Sequence, residues 1–316
     1  MVVRAISTVV VLALAASCGG VVVRVPEAAP SQRQLAELWV DPGQTPRDLF
    51  WGSGGQKYAP PPQAAYTFVN RDDTGFSASY DVTSPDGIEW SAKIGPEAQT
   101  EVVVSRILWG LGYHQPPLYY LPKWTLVRKG EEPRIESEAR FRPKLDTLDR
   151  LEMWKWSDNP FTGTRELRGL LVVMLMLNST DLKDDNNSLY MVKEPFGDGQ
   201  WFVVRDVGAA LGETGKLFPR RNWLKGFEET GFITAVNGNH VEFDYDGRHK
   251  ELLDLITPDD VRYGARLMQR LTERQLQDAF RAGNYSPQDA ERFIRRIRQK
   301  VADGLVVRAR PVNDSD

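Results

Sequence analysis

The sequence predicts an α+β fold in two lobes, a β-rich N-lobe with one helix over residues 63–145 and an α-helical C-lobe over residues 146–308. Three observations support this prediction. Between residues 66 and 143, short segments alternate apolar and polar residues, a pattern typical of strands. Helical patterns dominate from residue 148 onward. Residues 170–177 are eight consecutive apolar residues, which indicates a helix buried on all sides.

The N-lobe elements follow from alternation and from turn residues. A helix is predicted from about residue 96 to residue 110, where Gly110 and Gly112 end it. Strands are predicted at residues 66–69, 77–83, 88–94, 124–127 and 139–143.

The C-lobe is predicted to begin with a helix at residues 165–177. Two hairpins should follow, one with strands at 188–192 and 201–205, the other with strands at 232–236 and 241–245. Three amphipathic helices are predicted between residues 258 and 303.

The composition is that of an ordinary globular chain. With 316 residues, of which 41% are hydrophobic and 26% charged, the chain can bury a proper core. The formal net charge of −3 gives no general attraction to nucleic acid, so no nucleic-acid partner is expected. Three histidines lie scattered in predicted loops and Cys18 is the only cysteine, so neither disulfides nor a zinc site are expected. We expect the chain to be a monomer.

Residues 1–18 have the pattern of an export signal. Arg4 precedes an apolar run at residues 5–16 that is too short to span a bilayer comfortably. The run ends in Ala-Ala-Ser-Cys, which resembles the lipidation box of bacterial lipoproteins. We therefore expect an exported cell-envelope lipoprotein that is attached to the membrane only through a lipid on Cys18. Ordinary signal cleavage near Ala15 or Ser17 is the alternative.

The segments flanking the two lobes are predicted to lack regular structure. Residues 19–62 carry many prolines and glycines and are expected to form a tether and loops. Residues 309–316 are expected to be a tail.

The polar loop at residues 178–187, directly after the apolar helix, is the most informative stretch. Asp181-Leu182 is followed by Asn186 five residues after the aspartate, which is the spacing of the Asp-Leu-x-x-x-Asn part of a protein-kinase catalytic loop. Such a loop directs one carboxylate at an accepting hydroxyl and turns a carboxamide toward a phosphate-bound metal. Because Asp and Asn are also the commonest loop residues, a merely solvated loop is the alternative.

Asp206-Val207-Gly208 directly follows the predicted strand at residues 201–205. A carboxylate in this place can bind Mg²⁺ between phosphates, because Mg²⁺ prefers hard oxygen ligands. Gly208 is expected to permit a sharp backbone turn. A strand-ending turn without a ligand is the alternative.

Lys93 lies on the predicted strand at residues 88–94. Alternation places Trp90 on one face and Lys93 on the other, where the lysine would face a cleft. Glu101 lies on the apolar stripe of the following helix and needs a cation, because an unpaired buried carboxylate is costly. We expect Lys93 to pair with Glu101 in preference to Glu97, since the helix dipole already accounts for an acidic residue in the first turn.

A strand lysine, a helix glutamate, an Asp/Asn loop and a strand-ending Asp-x-Gly thus occur in a fixed order. In this order the sequence resembles the kinase-like superfamily, particularly its atypical and secreted members, the HipA-type, CotH-type and Golgi secretory-pathway kinases. The resemblance extends over residues 66–300 and is strongest at residues 88–112 and 178–208. It implies a two-lobed protein-kinase-like fold that binds ATP with Mg²⁺ or Mn²⁺.

The resemblance also assigns roles to single residues. Lys93, held by Glu101, would bind phosphate oxygens of the nucleotide, and Gly75 would lie in the turn that covers them. Asn186 and Asp206 would hold the metal ion.

Two further residues would serve the transfer itself. Asp181 would orient the acceptor hydroxyl and take its proton, and Lys183 would neutralise charge on the transferring phosphoryl group. Asp184, Asp185 and Asn187 are expected only to solvate the loop.

The chain departs from the kinase pattern in four places. No Gly-x-Gly-x-x-Gly precedes Lys93, and no Ala-Pro-Glu follows Asp206. Thr180 stands where kinases carry Arg, and Asn178 stands where they carry His. Control by loop phosphorylation is therefore not expected.

The expected activity is Mg²⁺-dependent phosphoryl transfer from ATP to a protein, sugar or other small hydroxyl acceptor. One alternative is a catalytically inactive kinase-like binding or scaffold lipoprotein. The other is an adenylyltransferase with the same fold.

Overall fold

The structure, a computed structural model, describes residues 22–72, 78–214 and 220–309. The predicted export signal with Cys18, Gly75 and the tail beyond residue 309 lie outside the described residues. The architecture of the described residues combines a curled β-sheet with a group of helices. The predicted α+β class is therefore confirmed.

A seven-stranded sheet dominates the first half of the chain. It runs in the order β4-β7-β3-β2-β1-β5-β6, and every neighbouring pair is antiparallel except β1 and β5. Its strands are β1 (Ala65–Asp72), β2 (Ser79–Thr83), β3 (Glu89–Ile94), β4 (Tyr119–Leu121), β5 (Trp124–Val127), β6 (Arg134–Glu136) and β7 (Ala139–Lys144).

One face of this sheet is apolar because its strands alternate as predicted. Trp90, Trp124 and Phe141 are buried and pack edge to face, with Tyr66 against Trp124. Lys93 points to the opposite face. This alternation places a row of polar side chains, including Lys93, on the face of the sheet opposite the apolar one.

The second half of the chain is mainly helical, with two small sheets. Strands β8 (Leu148–Arg150), β9 (Asn187–Val192) and β10 (Gly199–Val204) form one sheet, and β11 (Ile233–Asn237) and β12 (His240–Phe243) form the other. The helices of the chain are α1 (Gln32–Leu35), α2 (Glu97–Gly110), α3 (Arg165–Met176), α4 (Leu224–Glu229), α5 (Pro258–Gln269), α6 (Glu273–Ala282) and α7 (Pro287–Val306).

Helix α3 forms the centre of the helical half. Every residue from Gly169 to Met176 is buried, which confirms the prediction from the apolar run. Helices α5 and α7 pack on it, and all three helices have a side-chain cap at the N-terminus. The residues that provide these caps are Thr164, Thr257 and Ser286.

The described part of the segment predicted as a tether is packed onto both halves of the molecule. Leu38 and Leu49 are almost fully buried. The Trp39 indole donates to the carbonyl of Leu111 (2.8 Å), and Gln275 donates to the carbonyl of Arg47 (3.0 Å). The prediction of loops is accurate for most of residues 31–58, but a tether is the wrong description for them, because isolated apolar residues fix the loops to the core.

Candidate functional site

A cavity of about 690 Å³, here called the Lys93 cavity, lies against the polar face of the large sheet. Residues from β2, β3 and β7 line one side, and residues between 181 and 221 line the other. The structure brings Lys93, Asp181, Lys183, Asn186 and Asp206 together on its wall. Its lining consists of Ser79, Asp81, Ser91, Lys93, Glu97, Arg140, Lys144, Arg150, Asp181, Lys183, Asp185, Asn186, Arg205, Asp206, Ala209 and Arg221.

Lys93 forms ion pairs with three carboxylates at this cavity and is only 7% exposed. Its Nζ lies 2.9 and 3.1 Å from the two carboxylate oxygens of Asp206. It also lies 2.8 Å from Oε2 of Glu97 and 3.4 Å from Oε2 of Glu101. Burial by itself would lower the pKa of Lys93, but the three carboxylates outweigh burial and raise it. Lys93 is therefore held as an ammonium ion.

Lys93 pairs with both glutamates: the predicted partner Glu101 lies within ion-pair distance, and Glu97, which we had not preferred, makes the shorter contact. Lys93 lies four residues before Glu97 and reaches the first turn of α2. The Glu97 carboxylate therefore pairs with this lysine as well as with the helix dipole. Glu97 also contacts Arg221.

Glu101 pairs mainly with two arginines. Its Oε1 lies 3.0 Å from Nε of Arg140 and 2.7 Å from Nη2 of Arg142, and the side chain is fully buried. Burial tends to raise the pKa of Glu101, but Arg140 and Lys93 outweigh burial and lower it. Glu101 thus lies behind the cavity wall, where it positions cations.

The loop that follows α3 places Asp181 and Asn186. Its first residue, Asn178, has a positive φ of 53° and accepts a hydrogen bond from the buried Lys300. The Asn178 amide also donates to the carbonyl of Gly212 (2.7 Å), which ties the start of the loop to the segment after Asp206.

The two predicted functional residues of the loop face the cavity. Asp181 Oδ2 lies 2.9 Å from Nζ of Lys183. The Asn186 amide donates to the backbone carbonyl of Asp181 (2.6 Å), and the Asn186 carbonyl accepts from the backbone N–H of Asp206 (3.0 Å). These bonds join the loop directly to the strand-ending aspartate.

Two neighbours in the loop have structural roles in place of the solvation that we expected. Asp184 accepts a hydrogen bond from the backbone N–H of Trp156 (3.0 Å). Asn187 is fully buried and donates to the carbonyl of Trp154 (3.1 Å). Asp185 lines the cavity.

Asp206 follows β10 as predicted. Burial alone would raise its pKa, but Lys93, with Arg140 and Arg142 behind it, lowers the pKa to about 2. Asp206 is therefore an anion at any ordinary pH.

Gly208 is required for a reason other than the predicted turn. A Cβ atom at this position would lie 2.7 Å from Cβ of Glu97, so only glycine allows the segment to approach α2 so closely.

The donor set suits a metal ion that arrives with phosphate. The oxygens of Asp206 and Asn186 are the hard ligands that Mg²⁺ prefers. Among the described residues, no group of three or more His, Cys, Asp or Glu side chains is arranged to hold a metal ion. Since Mg²⁺ is commonly held by one or two carboxylates together with substrate phosphates, the cavity fits that form of binding and does not fit a metal held by protein alone.

The sequence reasoning missed the arginines of the site. Arg140 and Arg142 alternate with the buried Phe141 on β7, and Arg140 is paired with Lys93 in the sheet register. This alternation was the available signal. Seven cationic side chains, among them Arg140 and Arg205, and five acidic side chains line the Lys93 cavity. This excess of positive charge makes the cavity suited to an anionic ligand.

Comparisons of this chain with protein-family models, with curated proteins and with solved structures find no match. The expected resemblance to kinases therefore rests on the sequence motifs of this chain alone. None of the helices within the described ranges has the length and apolar character needed to cross a membrane.

Proposed function

We propose that this protein is a Mg²⁺-dependent ATP phosphotransferase with a two-lobed kinase-like fold. One observation carries the proposal. Lys93, Asp181, Asn186 and Asp206 come from three separate parts of the chain and meet on the wall of one cavity. The order of these residues along the chain and the elements that carry them are those of the kinase-like resemblance.

The distribution of buried side chains supports two lobes. One apolar cluster lies within the large sheet and includes Trp90 and Phe141. A separate and larger cluster includes α3 and the C-terminal helices, and several buried apolar side chains of α2 belong to this cluster as well. The Lys93 cavity takes side chains from elements of both, as a site between two lobes would.

The residues that the cavity brings together divide the proposed reaction among them. Lys93 would bind phosphate oxygens of ATP, with Glu97 and Glu101 holding its ammonium in place. Asp206 and Asn186 would hold Mg²⁺, which supplies charge neutralisation on the phosphates when bound.

Asp181 would orient the acceptor hydroxyl and accept its proton as the new oxygen–phosphorus bond forms and the bond from the γ-phosphorus to the β–γ bridging oxygen breaks, which releases ADP. Lys183, which is 2.9 Å from Asp181, would stabilise negative charge on the transferring group. The acceptor remains a protein, sugar or small hydroxyl compound in this proposal.

One observation favours a second candidate, a kinase-like scaffold without turnover. Both carboxylate oxygens of Asp206 are occupied by the Lys93 ammonium. A carboxylate that is already paired with a lysine is stable without a metal ion, so the pair can serve a purely structural role. Nucleotide binding and turnover separate the two candidates.

The test measures turnover and identifies the transferred group. The protein is incubated with ATP and Mg²⁺, and nucleotide hydrolysis is followed together with the intact mass of the protein. We expect Asp206→Ala to abolish activity, whereas Asp185→Asn, which changes another carboxylate of the same cavity, should retain it. Equal activity in the two variants would refute the metal assignment. Addition of an AMP mass in place of a phosphoryl mass would identify an adenylyltransferase.

Export and lipidation at Cys18 remain part of the proposal on the basis of the sequence alone. Intact mass of the mature protein from a membrane fraction would show a lipid on Cys18 if this part is right.

A further inference from the structure

A second cavity of about 810 Å³ adjoins the Lys93 cavity, and we call it the arginine cavity. The two share Ser91, Lys144, Arg150 and Arg205 on their walls. Arg142 lines only the second of them. The arginine cavity therefore continues the cleft beyond the residues to which the proposed reaction assigns roles.

Arg205 carries a positive charge that the described residues leave unpaired. No hydrogen bond or ion pair joins its guanidinium to any described group, and its Nε is buried without a partner. The backbone of Arg205 is fixed, because its N–H donates to the carbonyl of Asn186 (2.7 Å). A cation on a cavity wall without a counter-ion is a feature of anion sites.

Only some of the hydrogen-bond donors of the Arg142 side chain have a partner. Its Nη2 contacts Glu101 and donates to the carbonyl of Arg205 (3.2 Å), but Nε and Nη1 have no partner and the side chain is 6% exposed. Burial and the nearby guanidiniums of Arg205 and Arg140 lower the pKa of Arg142 to about 9. Among the described residues, Glu101 is the one carboxylate that forms an ion pair with Arg142.

Arg150 completes the cluster. Its Nε donates to the hydroxyl of Ser188 (3.1 Å), and burial together with Arg205 lowers its pKa. The acidic residues on the cavity wall are exposed, and none forms an ion pair with Arg142, Arg150 or Arg205 among the described residues. These acidic residues are Glu89, Asp146 and Asp149.

We propose that Arg142, Arg150 and Arg205 form an anion-binding subsite in the arginine cavity that takes a phosphate group. Guanidinium groups match the geometry of phosphate oxygens and bind them through paired hydrogen bonds. Leu148 and Tyr190 provide an apolar wall in the same cavity, so the phosphate is carried by an organic ligand. The subsite shares Arg150 and Arg205 with the Lys93 cavity, but it does not include Lys93 and does not depend on turnover.

The phosphate could belong to the nucleotide itself or to a second, phosphorylated ligand. In the first case ATP extends from the Lys93 cavity into the arginine cavity. In the second case the two cavities are filled at the same time by two compounds. Both sources present a phosphate group to the same arginines, and a competition experiment between ATP and pyrophosphate distinguishes them.

Binding of inorganic phosphate and pyrophosphate to the full protein, measured by titration calorimetry at constant ionic strength, tests the subsite. We expect Arg150→Gln and Arg205→Gln each to weaken binding about tenfold or more, since each removes a charge-assisted hydrogen bond. Arg274→Gln, on the surface, should leave this binding unchanged. Circular dichroism checks that each variant is folded.

A competition experiment then identifies the source of the phosphate. If saturating pyrophosphate excludes ATP, the nucleotide supplies the phosphate. If ATP and pyrophosphate bind together, a separate phosphorylated ligand supplies it. Absence of binding by either probe, or equal loss in Arg274→Gln, would overturn the proposal. The Asp206→Ala variant should still bind the probes, so failure of the proposed phosphotransferase activity would not be mistaken for failure of the subsite.

Discussion

Lys93 and Asp206 should be energetically coupled, and a double-mutant cycle can measure the coupling. The pKa of Asp206 is lowered from an ordinary 3.8 to about 2, and a difference of that size corresponds to about 2.5 kcal/mol. The Asp206 side chain is 38% exposed, so solvent screening reduces the expected coupling to about 1–1.5 kcal/mol at pH 7. Replacing both groups, as in Lys93→Met with Asp206→Asn, should therefore cost less than the two single changes added together.

The sign of the pH dependence follows from the lowered pKa. Because the carboxylate of Asp206 is stabilised in the folded protein, its contribution is complete well above pH 3.8 and is lost as the pH falls toward 2. About half of the coupling should remain at about pH 3.

Urea unfolding of the wild type, both single variants and the double variant at each pH gives the coupling directly. Additivity within about 0.3 kcal/mol at pH 7 would refute the pairing. A coupling that stays constant down to about pH 3 would show that the carboxylate is not the group responsible.

Two further predictions concern stability. Burial and the nearby Arg296 hold the pKa of Lys300 well below 10.5, so unfolding takes up a proton and stability should rise as the pH approaches 10.5. Lys300→Met should remove this slope in urea unfolding between about pH 7 and about pH 9.5, and an unchanged slope would contradict it. Gly52 has a φ of 69°, and a Cβ there would overlap the guanidinium of the buried Arg106, so Gly52→Ala should cost about 2 kcal/mol or more. Gly43→Ala, at a φ of 71° with open space around it, is the control and should cost less.

Local periodicity was sufficient to predict the long elements of the fold. The alternation around Trp90 and the apolar run in α3 each match a single secondary structure, so their bounds were predicted to within one or two residues. The three-residue strands β4, β6 and β8 were missed because such short segments show no period and are defined only by their partners.

The candidate site was predicted less completely, because its contacts join remote positions. Lys93 and Asp206 are 113 residues apart, and only the order of motifs suggested that they meet. The choice between Glu97 and Glu101 depends on the relative placement of β3 and α2, which no local pattern contains. The packing of Leu49 was likewise missed because prolines and glycines indicate a loop but not the surface it covers.

Nucleotide binding tests the central claim most directly. Titration calorimetry and thermal unfolding of the protein with ATP, in the presence and absence of Mg²⁺, should show one site that is strengthened by the metal. At one hundred times the dissociation constant, the ligand should stabilise the fold by about 2.7 kcal/mol. The Asp206→Ala variant should lose the effect of Mg²⁺ and remain folded. If no nucleotide binds or stabilises the protein with Mg²⁺ or Mn²⁺, the assignment of the Lys93 cavity as a nucleotide site is wrong.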